Sequence, residues 1–323
     1  MSKYIDCRLF RNGTATPVSL ADVGAHIGEA DAFLWIELAS PEPDALARLG
    51  ADLALHELAL EDAISAHQRP KLEEYGEHLF IAVRTARLSD EHIEFGETHI
   101  FVGKNFLVVI RHDDGEAYSP RITEKLGAAR NGKKPGAAYA LYLALDHIVD
   151  ELRPVLAGLQ RRFTTLENRL LERELERDNL ERLYALKREL ARLRDAAEPL
   201  QDILPNLIRL HPELVTKPLK AYYRDVHDHV LRVMQAIDHL RTSTSDAMQF
   251  HLGSLSLEQN ASVQKLAGWG ALLALPTVVF SLYGMNFEWM PELHWRFGYP
   301  ALLVLTGAAT LILHKHLKRR GWI

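Results

Sequence analysis

Cysteine is almost absent: among 323 residues only Cys7 is present. That excludes an intrachain disulfide framework and any cluster of thiolate metal ligands, and a reducing setting is expected for most of the chain. A basic excess is missing too. Lysine and arginine number 38 against 43 acidic residues, and the single basic concentration, Lys315 to Arg320, stands at the end of the sequence. Phosphate binding usually leaves a basic stripe, so a nucleic-acid binder is excluded. Residues 1–30 are polar and lack an apolar core of the signal-peptide kind, so no secretory leader is expected. No glycine-rich phosphate loop, zinc-protease pattern or nucleophile elbow appears, and no catalysis is assigned.

Two uncharged stretches stand against these absences. Residues 266–283 read LAGWGALLALPTVVFSLY and residues 297–313 read FGYPALLVLTGAATLIL. Each is about long enough to cross a bilayer core as a helix. Lys265 precedes the first and Lys315, Lys318, Arg319 and Arg320 follow the second, whereas the loop between holds Glu288, Glu292 and only Arg296. The positive-inside rule then puts both termini in the cytoplasm and the loop outside. Tyr283, Phe287, Trp289, Trp295 and Tyr299 crowd that loop, as rings do at a membrane surface. From Lys265 onward six residues are basic and two acidic, which leaves a net charge of −9 on the preceding body. Such a body draws cations.

The body divides by pattern. Residues 1–145 alternate as a cytosolic α+β domain, with strands expected at 4–10, 33–38, 78–88, 93–102 and 106–111, a hairpin turn at Gly103-Lys104-Asn105, and one helical stretch over 42–65. Residues 146–217 carry leucines at helical spacing on two arms around the polar 172–179, which predicts an antiparallel helical hairpin. Proline is then absent from 219 to 275, and the spacing predicts one helix over 218–283, a coiled-coil stalk running on as the first span. The external loop follows at 284–296, the second span at 297–316 and a basic cytosolic tail at 317–323. A helix so long cannot bury its stripe within its own domain, and neighbouring copies are its expected partners.

One face of the first span presents Asn260, Val263, Ala267, Gly270, Ala274, Thr277 and Ser281 at steps of three and four, mostly small or hydroxylated. Close helix packing explains such a stripe, and so does the wall of a narrow pore, which several copies around an axis would enclose. Gly284-Met285-Asn286 follows at once. Asn286 there can cap the end of the helix.

Here the sequence resembles the CorA family of divalent metal-ion transporters. Tyr283-Gly284-Met285-Asn286-Phe287 and Met290-Pro291-Glu292-Leu293 stand intact. His67-Gln68-Arg69-Pro70-Lys71, Tyr223-Arg224-Asp225-Val226 and the terminal Gly321-Trp322 are similar to further family segments. The resemblance implies a homopentameric funnel in the inner membrane that takes up Mg²⁺, also Co²⁺ and Ni²⁺, with no cofactor. It implies a filter at Gly284, Met285 and Asn286, a second polar ring at Asn260 and an apolar constriction at Val263 and Leu266. Val263 replaces a larger methionine common in the family, and Pro276 falls one place later than in some members. Cytosolic Mg²⁺ bound between protomers would close the pore through Asp225 and an acid near Asp90 or Glu91, although Ser89 also falls near that position. Two other readings stay open: a Zn²⁺ transporter of the ZntB branch, and a non-conducting membrane-tethered scaffold. His227/His229 and His314/His316, two apart on helices, are each too far around the axis to share one ion.

Overall fold

The computed structural model of the chain describes residues 4–11, 13–89, 92–113, 115–128, 136–172, 177–285 and 290–323. The chain forms two compact units, Met1–Asp246 and Ala247–Ile323.

The first unit is built on a seven-stranded mixed sheet. Its strands are β1 (Tyr4–Arg11), β2 (Thr14–Pro17), β3 (Ala32–Ala39), β4 (Lys71–Tyr75), β5 (His78–Ser89), β6 (His92–Val102) and β7 (Phe106–Arg111). Their order is β2-β1-β3-β7-β6-β5-β4, and only the β3–β7 pair is parallel. Every residue of β3 and β7 is buried, as strands covered on both faces require. On one face Leu34, Ile36, Leu38, Val108 and Ile110 pack with Leu46, Leu49 and Ala63 of α1 (Pro43–Asp52) and α2 (Glu57–Ser65). On the other lie α3 (Ser119–Gly127) and the long α4 (Ala137–Leu171), which packs on β5. Helices on both faces make three layers around a common core.

The strands expected from alternation are present, and the hairpin turn at Gly103 is closed by the Gly103 N–H donating to the Phe106 carbonyl at 3.0 Å. The single helical stretch expected over 42–65 is instead two helices. Ala54 takes a left-handed φ of 50°, and His56 restarts the chain by accepting the Leu58 N–H on its ring nitrogen at 3.2 Å. The leucine spacing slips from four to five between Leu53 and Leu58, which a continuous helix would not place on one face. Strands β2 and β4 escaped the pattern because both are short edge strands with mostly exposed or half-exposed side chains.

Helix α5 (Arg177–Ala197) returns along α4, and Arg162 pairs with Glu189 across them at 2.8 Å. The short α6 (Leu200–Leu210) follows. Helix α7 then runs from Lys217 to Tyr283, 67 residues, and belongs to both units. Pro276 is its only interior proline, and the missing N–H there releases one carbonyl a turn earlier. The second unit ends with α8 (Gly298–Arg319). Both α7 and α8 hold stretches long and apolar enough to cross a membrane.

Candidate ion pathway and metal cluster

In the second unit α7 presents two contrasting faces. Gly268 and Leu272 are buried, and Leu275, Pro276, Val279 and Tyr283 are half-buried. A methyl added at Gly268 would meet the Ile323 side chain at 3.0 Å and the Trp322 carbonyl at 3.2 Å, so the end of the chain lies against α7 there. Phe280 and Tyr283 share a cleft with Tyr299 and Leu302 at the start of α8. The chain therefore folds back after Tyr283, and the small residue at 268 leaves room for Trp322 and Ile323, beyond the end of α8.

The small and hydroxylated stripe lies elsewhere. Asn260, Val263, Ala267, Gly270, Ala274, Thr277 and Ser281 are all exposed, as is Leu266 at 75 %. At about 100° per residue the stripe centres roughly 200° around α7 from the face that meets α8. Packing within this hairpin thus does not account for it. Thr277 donates its hydroxyl to the Leu273 carbonyl at 2.7 Å, which leaves the oxygen's lone pairs on that face. The helix ends where Gly284 N–H meets the carbonyls of Phe280 and Ser281 at 3.0 and 3.2 Å, and Gly284 and Met285 are exposed. Asn286 and Glu288 lie outside the described residues, as does the side chain of Glu292.

The first unit carries a second arrangement, where α7 crosses α4. The segment Tyr223-Arg224-Asp225-Val226 is explained by helical phase: Tyr223 and Val226 are fully buried against α4, while Arg224 and Asp225 remain exposed. The Tyr223 hydroxyl donates to the Ala138 carbonyl at 2.8 Å, and Tyr142 packs on Tyr222 and Tyr223, with ring centres 5.3 and 6.2 Å away. This anchor brings Asp146 and Asp150 of α4 and His229 of α7 together, with one ligand atom of each within 4.8 Å of the others. Asp225, one turn before His229, approaches its ring nitrogen at 3.7 Å. Burial, then the neighbouring Asp150, holds the Asp146 carboxyl above its ordinary range, and Asp225 adds to this. A divalent cation among these groups would relieve the repulsion and favour the ionised form.

Asp225, the acid expected from the sequence, lies beside this cluster, against His229. Asp90 and Glu91, the other two, lie outside the described residues. Asp146, Asp150 and His229 were missed from sequence, although Asp146/Asp150 and Asp225/His229 are each spaced by four, the separation that stacks side chains on one helical face. His229 has partners outside its histidine pair, in Asp146 and Asp150. His67–Lys71 is a structural bend: Ala66 and His67 have φ of 53° and 59°, Gln68 N–H donates to Glu97 at 2.8 Å, and Lys71 ties Asp62 to Glu73 at 2.7 and 2.6 Å.

A layered α/β unit, a 67-residue helix and a terminal pair of apolar helices define a class of two-span membrane proteins with a large N-terminal body. Residues 30–319 match the family model described as CorA-like Mg²⁺ transporter protein, and the chain belongs to the CorA family. It is 31 % identical over 295 residues to the cobalt/magnesium transport protein CorA of Thermotoga maritima, covering 90 % of this chain and 83 % of that one. Its fold is similar to the complete structure of the CorA magnesium transporter from Methanocaldococcus jannaschii, with TM-score 0.83, 19 % identity and all of both chains covered. The cytoplasmic domain of ZntB from Vibrio parahaemolyticus shares the fold of the first unit as well, with TM-score 0.63 and 16 % identity over 79 % of this chain and 99 % of that one.

Proposed function

We propose that the protein is an inner-membrane, channel-like transporter that takes up Mg²⁺, and with it Co²⁺ and Ni²⁺, as a homo-oligomer, a pentamer by family likeness. Both termini are cytoplasmic. The observation that carries the reading is the exposed, small and hydroxylated face of α7, turned away from α8 and ending at Gly284 and Met285. One chain cannot enclose a path with that face, whereas copies around an axis can. The path begins at Gly284, Met285 and Asn286, whose ringed carboxamides hold the ion through its water shell. It passes Ser281, Thr277, Ala274, Gly270 and Ala267, narrows at Leu266 and Val263, where apolar walls exclude water, and leaves past Asn260. Glu288 and Glu292 in the outer loop raise the local concentration of cations.

Regulation is assigned to Asp225 and the groups gathered beside it. A cation held there by Asp146, Asp150 and His229, and by Asp225 through a small rotamer change, stabilises the closed arrangement, and its loss at low internal Mg²⁺ opens the path. Asp90 and Glu91 remain the proposed acids from a neighbouring copy. The imidazole of His229 gives the cluster a borderline-soft donor, which favours Co²⁺ or Zn²⁺ beside Mg²⁺ and keeps a ZntB-like Zn²⁺ transporter as the second reading.

Uptake into proteoliposomes tests both, with Mg²⁺, Co²⁺ and Zn²⁺ offered separately and a pH dye inside. Mg²⁺ and Co²⁺ are expected to enter without proton movement. Asn286→Ala is expected to lower uptake roughly tenfold, the factor that about 1.4 kcal/mol of lost ion recognition gives. Zn²⁺ entry coupled to protons, without Mg²⁺ uptake, would establish the second reading. A membrane-tethered scaffold would pass none of the three.

A further inference from the structure

The cleft where α7 ends and α8 begins has no place in the ion pathway. It encloses about 630 Å³, within the range of small-ligand sites. Phe280 and Leu302 supply apolar wall, and Tyr283, Trp295 and Tyr299 supply rings with polar edges. Trp295 and Tyr299 are 59 % and 73 % exposed, so their apolar surfaces are unspent within the chain. Arg296 also lines the cleft and is the only lysine or arginine between Lys265 and Lys315. It is exposed and, among the described residues, no carboxylate pairs with it. His294 stands beside it on the same wall.

An exposed guanidinium at the end of two apolar helices, ringed by tryptophan and tyrosine, matches one chemistry well. Its planar fork of donors fits the two free oxygens of a phosphodiester, while the aromatic edges suit the depth of lipid head groups. A carbonyl or hydroxyl ligand would leave the charge uncompensated. We propose that the cleft seats an anionic phospholipid of the outer leaflet, with Arg296 on the phosphate, the Trp295 and Tyr299 rings at the glycerol level and the upper acyl chain along Phe280 and Leu302. The site rests on the reading that α7 and α8 cross a bilayer, and not on what passes through the pathway.

Native mass spectrometry of the detergent-purified full-length protein tests it, with phosphatidylglycerol and phosphatidylcholine supplied in equal amounts. The wild type is expected to retain phosphatidylglycerol preferentially, up to one per chain. Arg296→Gln is expected to lower that retention roughly tenfold, the scale of one lost charge-assisted contact, with phosphatidylcholine unchanged. Arg296→Lys, which keeps the charge and loses the fork, is expected to fall between. Millimolar inorganic phosphate is not expected to displace the lipid, and displacement would show a free-anion site instead. Equal retention of both lipids, or Arg296→Gln behaving as wild type, would overturn the proposal. So would an Arg296→Gln protein that dissociates into single chains without having bound lipid, since a second copy would then fill the cleft. Release of wild-type protein from membranes by alkaline carbonate would instead bring down the bilayer reading and the lipid site with it, whatever the flux assays report.

Discussion

Glu37 sits at the centre of the sheet with no exposed surface, and burial holds its carboxyl above the ordinary range. The fold surrounds it with donors: Arg111 Nε at 2.8 Å, Tyr118 N–H at 2.8 Å and Ser119 N–H at 2.6 Å. The last two are free N–H groups at the start of α3, so one side chain joins β3, β7 and the helix N-terminus. Arg111, 2 % exposed, keeps only Asp113 and the Gly115 carbonyl if Glu37 is lost. Glu37→Ala is therefore expected to cost about 3 kcal/mol, because a buried cation loses one of its two carboxylate partners. In thermal unfolding of the full-length protein this is a fall of roughly 6 to 12 °C, and a change below about 2 °C would show that Arg111 is satisfied by its remaining partners. Nothing in the β3 sequence AFLWIELA marked Glu37 as more than a polar residue in an apolar run. Its role needed Arg111 and Tyr118, over seventy residues away in sequence.

At the scale of the element, α4 carries two opposed proton-sensitive groups one turn apart. Burial, then the carboxylate of Asp113, raises Glu151 to about 7, while burial, then the cations Arg121 and Lys125, lowers His147 to about 4. His147 Nε2 and Glu151 Oε1 are 3.6 Å apart, beside a cleft of about 350 Å³ that Arg87 of β5, Glu116, and Arg121 and Lys125 of α3 also line. Between the ordinary carboxylate range and pH 7 the folded chain keeps the Glu151 proton that the unfolded chain has lost, so stability falls as pH rises. Between pH 6.5 and about 4 the unfolded chain takes up a proton that folded His147 refuses, so stability falls as pH falls. The two offset one another in the wild type. His147→Gln is expected to give a melting temperature that declines from pH 5 to 7, and Glu151→Gln one that declines from pH 6.5 to 4.5. Flat profiles in both variants, read by circular dichroism, would show that neither group is held away from its ordinary titration.

At the scale of the whole molecule, Asp146, Asp150 and His229 gather in the first unit, and His229 lies on α7, which runs through both units. If bound Mg²⁺ holds the closed state through Asp225, then Asp225→Ala is expected to raise the internal Mg²⁺ needed for half-inhibition roughly tenfold, equivalent to about 1.4 kcal/mol of lost preference for that state. Asp146→Asn should do the same if the cluster is a single site. Its carboxyl is already biased toward the neutral form, so the effect should shrink as the internal pH falls and the wild-type group itself protonates. Vesicles with clamped internal Mg²⁺ read both effects, and unchanged inhibition in Asp225→Ala would remove this residue from regulation.

The spans, the long α7, the alternating strands and the small stripe were legible in the sequence because each is periodic along the chain: runs of apolar residues, steps of two, steps of three and four. The break at Ala54, the edge strands β2 and β4, the Glu37 anchor and the gathering of Asp146, Asp150 and His229 were not. They depend on left-handed backbone, on short exposed pairing, or on side chains brought together from distant helices. Which face of α7 meets α8 was likewise decided in three dimensions, by where Gly268 lets the chain end approach. Local periodicity specifies elements, whereas contact between remote residues is fixed only when the layers close.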